Sequence, residues 1–450
     1  MAVGHSCGRR IHDAHHEVGS ETIFLRNIGP IVDTEPHRDV HALARRSPSV
    51  TLAEHEPQPD MKRLRAYRLA RVQAELRKHD YAGGFFCDPS NVRYATGTRN
   101  MSVWTSHVPA RYCFVPVEGK TILFEFRSSQ HLANGIETVG ECRPFIGWYY
   151  MTTGTRQLEK AKAFAATVAA VVRERGGGKN RRVAFDRLDP LGLDLVRAEG
   201  IEVFEGEEVM QHARSVKSED EIAGLTHSLA VCDAGIARMR EALRPGLTEN
   251  ELWALLHETN ISHGGECIET RLFASGGRTN PWFQECSDRV IRPGDLVAFD
   301  TDMIGPMGFC CDISRTFHTG PGKPTAEQRQ LYALAVEQIQ HNLGLIKAGA
   351  GFREITEKSF VLPEPYHANR YANVMHGVGL ADEWPVIVNR SDWDVRGYDG
   401  VLEEGMVFSI ESYVGATGGT DGIKLEECAL VTRDGYQLLS TFPYEERLLG

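Results

Sequence analysis

Three aspartates stand in the run GDLVAFDTDMIGPMGFCCDISRTF, at positions 300, 302 and 312. LVAFDTD reads as a strand, and its alternation sets Asp300 and Asp302 on one face. A turn through Gly305, Pro306 and Gly308 leads to a second strand bearing Asp312. Carboxylates gathered on one face repel each other unless a cation lies between them. A lone D-x-D is often a solvated turn; a third strand aspartate ten residues on argues for metal.

Three further phrases add donors. VMHGVGLADEWP holds His376 between glycines that allow close backbone approach. MVFSIESYV holds Glu411 and GIKLEECALV holds Glu426, each among apolar strand residues. Burying a lone glutamate in mid-strand is expensive, so two in successive apolar strands argue for a shared counter-charge. Each residue alone also reads as an ion-paired or solvent-facing group. Together, in the order Asp, Asp, Asp, His, Glu, Glu, they call for metal. One imidazole among hard oxygen donors suits Fe, Mn, Co or Zn rather than Cu(I).

Elements to position these residues follow from periodicity. Residues 61–79 carry apolar side chains at helical intervals. YAGGFFCD, RYCFVPV and KTILFEF are strand-like, a helix follows over 157–175, and RRVAFD and IEVFEG flank a helix-like stretch at 190–199. This pattern predicts an α/β domain over 61–214. Ser218 and Glu221 form a capping-box signature at the start of a long helix, so the domain boundary is placed at 214–218. A second domain over 215–450 has a further helix at 248–262 and then strands with glycine turns. Residues 1–60 read as an irregular arm holding seven of the 18 histidines, at spacings too uneven for a metal-binding tail.

With 450 residues, 42% hydrophobic and 25% charged, the chain is an ordinary globular composition. A net charge of −11 and no basic stripe argue against a nucleic-acid partner. Ten cysteines without a C-x-x-C pair point to reduced thiols. There is no apolar leader and no run long enough to span a bilayer, so no membrane partner and a cytoplasmic location are expected.

The order and phrasing of these motifs resemble the pita-bread metallohydrolases: prolidase, aminopeptidase P, methionine aminopeptidase and the metal-free creatinase. The resemblance covers about 61–450 and implies a creatinase-like α/β N-terminal domain followed by an α+β pita-bread catalytic domain. It also implies two divalent metal ions held by Asp300, Asp302, Asp312, His376, Glu411 and Glu426, with Asp312 and Glu426 bridging. Such homologues form homodimers in which the small domain of one subunit closes the other's pocket.

The sequence departs from the peptidases at two histidines. NPWFQECSDRV places Trp282 where the family has a histidine in a P-H-Y-like context, and HGVGLADEWP places Asp382 where a second histidine falls. Those histidines hold the scissile carbonyl and shuttle protons. The altered phrases RTNPWFQEC, AFDTD, CDISRT, MHGVGLADEWP and IKLEE resemble the DddP-type dimethylsulfoniopropionate (DMSP) lyases, as does Tyr371. The likeness is specific over 266–450 and looser over the small domain. It implies cleavage of DMSP to acrylate and dimethyl sulfide.

DMSP carries a carboxylate at one end and a sulfonium leaving group at the other. Elimination removes a weakly acidic proton α to the carboxylate, which requires positive charge at the carboxylate and a base near the α-carbon. Asp382 is the expected base, its pKa raised by burial beside Trp384 and Glu383; the alternative is an ion-paired loop residue. Tyr371 is expected to orient the carboxylate or assist the proton transfer, against a merely packed tyrosine. Trp282, Trp384 and Trp104 (in NMSVWTSH) are expected to offer aromatic faces to the sulfonium, although most aromatics are core residues. The competing readings are an Xaa-Pro dipeptidase or aminopeptidase, a creatinase-type C–N hydrolase, and a non-catalytic ligand-binding homologue.

Overall fold

Helix α1 (Met61–Lys78) starts at Asp60, whose carboxylate accepts the backbone N–H groups of Lys62 and Arg63. The cap satisfies donors that a helix start leaves open. The computed structural model describes residues 58–176 and 178–449. The expected N-terminal arm, with its seven histidines, falls outside the described residues apart from 58–60.

After α1 come strands β1 (Gly83–Phe86), β2 (Tyr112–Pro116), β3 (Thr121–Glu125) and β4 (Val139–Pro144), with helices α2 (Pro89–Thr96) and α3 (Ser102–His107) between β1 and β2. Helix α4 (Gln157–Arg175), β5 (Arg182–Phe185), helix α5 (Pro190–Ala198), β6 (Glu202–Glu205) and helix α6 (Glu207–Ser215) follow. The six strands form one mixed sheet in the order β4-β3-β2-β1-β5-β6. Phe164, Val168, Val171 and Val172 of α4 bury against Phe85, Phe114, Phe124 and Val183 of this sheet. Each helix and strand expected here is present, with β1, β2 and β3 buried on both faces.

Helix α7 (Glu219–Ala242) begins with the expected capping box between Ser218 and Glu221, and α8 (Glu249–Ser262) with a second one between Thr248 and Glu251. The remaining strands make three antiparallel sheets. β7 (Cys267–Ile268), β10 (Met303–Ile304) and β11 (Cys310–Cys311) form one, in the order β11-β10-β7. β8 (Phe273–Ser275), β9 (Leu296–Asp300) and β12 (Ser314–His318) form another, in the order β12-β9-β8. The third contains β13 (Asn373–Val378), β14 (Asp382–Val388), β15 (Val407–Gly415), β16 (Gly422–Val431) and β17 (Tyr436–Leu438), in the order β14-β13-β15-β16-β17. Helix α9 (Ala326–Leu343) covers this sheet, packing Leu331, Ala335 and Ile339 into a core with Phe408, Ile410 and Leu425. An α/β part is thus followed by an α+β part.

Buried ion pairs join the two parts. Arg68 of α1 meets Glu221 of α7 at 2.7 Å. Glu383 of β14 meets Arg214 at 3.2 Å and Lys217 at 3.1 Å, all three buried. The described residues accordingly group as one compact unit.

Two local expectations are corrected. LVAFDTD is not a strand throughout: β9 stops at Asp300, and Asp302 adopts a left-handed φ of 34°. Thr301 is the reason, since its hydroxyl donates to the carbonyl of Cys311 or Ile313 and accepts the Ile313 N–H, pulling the chain into a turn. Asp312 lies between β11 and β12 rather than within a strand. Both aspartates still face the site, held there by the turn instead of by alternation.

Candidate metal centre

Strands β15 and β16 pair so that Glu411 lies directly opposite Glu426. His376 enters from β13, which pairs with β15 on its other side. Alternation along β16 sends Lys424 and Glu426 to the same face and Glu427 to the other, where it pairs with buried Arg315 at 2.9 Å. β9 and the Thr301 turn supply the three aspartates from the facing sheet.

Two overlapping groups result. Asp312, His376, Glu411 and Glu426 each bring one donor atom, all within 4.8 Å of one another, and Asp300, Asp302 and Asp312 do the same. His376 Nε2 lies 3.3 Å from Asp312 Oδ2, 3.4 Å from Glu411 Oε1 and 3.8 Å from Glu426 Oε1. Its Nδ1 is 3.1 Å from the Gly377 carbonyl, so Nδ1–H donates there and Nε2 faces the carboxylates. Asp312 Oδ1, Glu411 Oε1 and Glu426 Oε1 are buried without a hydrogen-bond partner. Three orphaned carboxylate oxygens around an imidazole nitrogen fit a divalent metal.

The electrostatics agree. Burial, then Glu426 and the other aspartates, push the Asp312 carboxyl far above its usual range. Burial and Glu411 do the same to Glu426. Asp302 is pushed up to about 8 by burial, Asp300 and Asp382. Burial opposes charge on His376, yet the Glu411 carboxylate 3.4 Å away and the nearby carboxylates lift it to about 10. Without a cation the cluster gathers protons; a metal would replace them.

Lys424 was not expected here. It is fully buried, and its Nζ lies 2.6 Å from Glu411 Oε2, 3.1 Å from Asp300 Oδ2 and 3.2 Å from Glu426 Oε2. Burial works against the Asp300 carboxylate, but Lys424 and neighbouring hydrogen bonds hold it at about 2. Ser314 Oγ is within hydrogen-bond reach of Asp300 and Glu426, and Thr270 donates to Asp302 at 2.5 Å. The alternation of IKLEE carried the one available signal for Lys424.

A cavity of about 560 Å³ opens on this cluster, lined among others by Tyr371, His376, Asp382, Trp384, Gln211 and His212. Asp382 Oδ1 stands 3.9 Å from His376 Nδ1, with 55% of the side chain open to solvent. Its pKa is raised by the pocket walls and by Asp300, Glu411 and Glu383, with His376 opposing. Water in the cavity screens that repulsion more than within the buried cluster. Glu383, expected only as a neighbour raising Asp382, is chiefly the buried partner of Arg214 and Lys217.

The aromatics separate. Trp384 lines the cavity, its ring 4.5 Å from that of His212. Tyr371 lies over Lys424 Nζ, 4.6 Å from ring centroid to nitrogen, and Phe283 stacks on it at 5.6 Å. Trp282 is buried against Tyr413 and Tyr371 and does not line the cavity, so it backs the wall rather than forming it. Trp104 is also outside: it is partly exposed on α3 and borders a different cavity with Arg99, Met101 and Glu266. Neither Trp282 nor Trp104 is among the residues that line the cavity beside His376.

Comparison with known proteins places this geometry. Residues 223–433 match the model of metallopeptidase family M24. The chain is 40% identical over 397 residues to the dimethylsulfoniopropionate lyase DddP of Roseovarius nubinhibens, covering 87% of this chain and 89% of that protein. It is 37% identical, with the same coverage, to the DddP of Roseobacter denitrificans. Among solved structures, an Xaa-Pro dipeptidase from Bacillus anthracis superposes with a TM-score of 0.69 at 20% identity, covering 84% of this chain and 98% of that one. The dipeptidase likeness is one of fold, while the likeness to the two lyases extends through the sequence of both parts, and the chain belongs to the pita-bread metalloenzymes of family M24.

Proposed function

We propose that the protein is a metal-dependent lyase that cleaves DMSP to acrylate and dimethyl sulfide. In this reading Asp300, Asp302, Asp312, His376, Glu411 and Glu426 would hold two divalent ions of Fe, Mn, Co or Zn type. The observation that carries it is Asp382: a carboxylate open to the cavity, 3.9 Å from His376, where a peptidase has a histidine. The 40% identity to a DMSP lyase supports the choice of substrate.

Bound metal would supply positive charge to stabilise the negative charge developing on the substrate carboxylate. Asp382 takes the α-proton, the C–H electrons form the new double bond, and the C–S bond breaks with its pair leaving on sulfur. Acrylate and dimethyl sulfide result, and Asp382 returns its proton to water. Tyr371, kept protonated by burial and by Glu411, orients the carboxylate end over Lys424. Trp384 offers its face to the sulfonium. Trp282 acts by holding Tyr371.

Residues 61–214 and 215–450 are the two domains of this reading, meeting where α6 ends and Ser218 caps α7. The protein is a homodimer in which the exposed Met101, Val103 and Trp104 meet a second copy. That contact gives Trp104 a role one chain does not supply. Nine free cysteines among the described residues suit a reducing cytoplasm, and no described helix is long and apolar enough to cross a membrane.

The test supplies purified, metal-loaded protein with DMSP and, separately, with Xaa-Pro dipeptides. Headspace dimethyl sulfide with no dipeptide hydrolysis is expected. Dipeptide turnover without sulfide release would replace the lyase with a peptidase.

A further inference from the structure

A second cavity, of about 360 Å³, shares no lining residue with the one on the metal cluster. The two approach each other at residues 370 and 371: Arg370 lines the second and Tyr371 the first. Asn389, also in the second, donates its Nδ2 to the Tyr371 carbonyl at 2.8 Å. No described carboxylate lines this second cavity, although the chain carries a net charge of −11 and Glu205, Glu207, Glu208, Asp382 and Glu383 line the other.

Its polar side is rich in unused donors. Arg390 is exposed and makes no ion pair among the described residues. Arg370 gives one N–H to the His367 carbonyl at 3.1 Å and one to Asp392 at 2.5 Å. That uses two of the five N–H donors of a guanidinium, and its Nε is buried with no acceptor. Gln338 is 5% exposed; its Oε1 accepts from Ser412 at 2.8 Å, and its amide N–H groups meet no acceptor among the described residues. Asp392 offsets the charge of Arg370, while that of Arg390 stays uncompensated. Buried donors without acceptors beside an unpaired cation favour an anion.

We propose that this cavity is a second ligand site, built for a small organic monocarboxylate. The rest of the lining decides the class. Phe360 and Leu362 give the cavity an apolar side, against which a phosphate or sulfate would strand hydrated oxygens. A carboxylate with a short hydrocarbon body meets both sides: its oxygens take Arg390, Arg370 and the Gln338 amide, and its carbons cover Phe360 and Leu362. The volume is at the small end of ligand pockets, about 300–1,000 Å³, which suits an acid the size of butyrate. The site goes beyond the lyase reading and needs neither the metals nor Asp382.

Equilibrium dialysis of radiolabelled butyrate against metal-loaded full-length protein tests this without any assay of turnover. Arg390→Glu should bind one butyrate per chain fewer than wild type, and the same difference should appear after chelator treatment. Ser391→Asp, which sets a carboxylate in the exposed rim of the cavity, should lose the same molecule. Both positions are exposed, so thermal melts should match wild type. Butanol, which lacks the charge, should bind at least about tenfold more weakly, and phosphate at matched ionic strength should displace butyrate at least about tenfold less well than unlabelled butyrate does. Equal butyrate counts in wild type and both variants would overturn the proposal, as would butanol binding as tightly as butyrate. Phosphate that displaces butyrate as well as butyrate itself does would make this an inorganic-anion site and overturn the ligand class. Butyrate that only the chelator removes belongs to the metal cluster, so the failure of the lyase reading and the failure of this one are told apart.

Discussion

Glu411 and Glu426 stand directly opposite each other across the β15–β16 ladder, each with its Oε1 buried and unpartnered. Like charges in that relationship destabilise a sheet, and Lys424 compensates only the Oε2 side. The sheet therefore carries a strain that a cation relieves. Glu426→Gln should lose most bound metal and yet melt, in the metal-free state, no lower than wild type. Mass-spectrometric metal content and thermal melts with and without chelator check it; full metal retention in the variant would remove Glu426 from the ligand set.

The raised carboxylates give this strain a pH dependence. Asp302 titrates at about 8 in the folded protein, against about 3.9 when unfolded. Between those values the metal-free folded state binds the extra proton, so its stability falls as pH rises toward 8. Asp312 and Glu426, also raised, act in the same direction. Metal binding must displace these protons and strengthens over the same interval. The gain in melting temperature on adding Mn²⁺ should thus be larger at pH 8 than at pH 6. An equal gain at both would mean the cluster does not titrate on loading.

Asp382 separates chemistry from metal binding. It is the carboxylate of this constellation most open to the cavity, and it makes no contact with the orphaned oxygens. Asp382→Asn should keep the wild-type metal content and lose on the order of 10²–10⁴-fold in kcat for dimethyl sulfide release, the usual share of a general base. In wild type, kcat/KM should rise with pH through a value above the ordinary aspartate range, since the base must be ionised. Sulfide release unchanged in the variant would place the base elsewhere.

Glu383 sits next in sequence to Asp382 but does different work. Burial opposes its charge, and Lys217 and Arg214 overcome this to keep it ionised below the usual range. Glu383→Ala leaves two buried cations without their partner and should destabilise by about 3–5 kcal/mol, measured by denaturant unfolding of the metal-loaded protein. A loss near zero would show that water reaches Lys217 in solution.

The six candidate ligands stand out in the sequence because five of them are charged residues in apolar or glycine-flanked runs, where solvation has no other account. Their supports were not. Lys424 sits in IKLEE, read as part of an apolar strand around Glu426, and only the Glu411 register shows that its side chain shares the buried face. Asp302 reaches the site through a left-handed turn set by Thr301, a contact with residues ten and more positions on. Alternation predicted the right face for the wrong reason. Motif likeness located Trp282 and Trp104 near the chemistry, but a motif records which residues recur and not which way a side chain points. The helices and strands of residues 61–214, by contrast, followed from apolar spacing, and the pita-bread part from motif likeness.

The tryptophans allow the sulfonium contact to be assigned. Trp384 borders the cavity beside Asp382, whereas Trp282 is 6% exposed and packs on Tyr413 and Tyr371. A cation against an aromatic face contributes about 0.5–2 kcal/mol, which corresponds to about a twofold to thirtyfold rise in KM when the ring is lost. Trp384→Ala should show that rise for DMSP with kcat changed far less, and Trp384→Phe should recover most of it. Trp282→Phe keeps a ring behind Tyr371 and should leave KM within about twofold, while Trp282→Ala, which opens a buried void, should lower the melting temperature before it changes KM. Steady-state kinetics on the four variants decide between the two rings. A KM effect in Trp282→Phe larger than in Trp384→Ala would move the sulfonium to the buried side of the site and make Trp282, not Trp384, the residue that meets it.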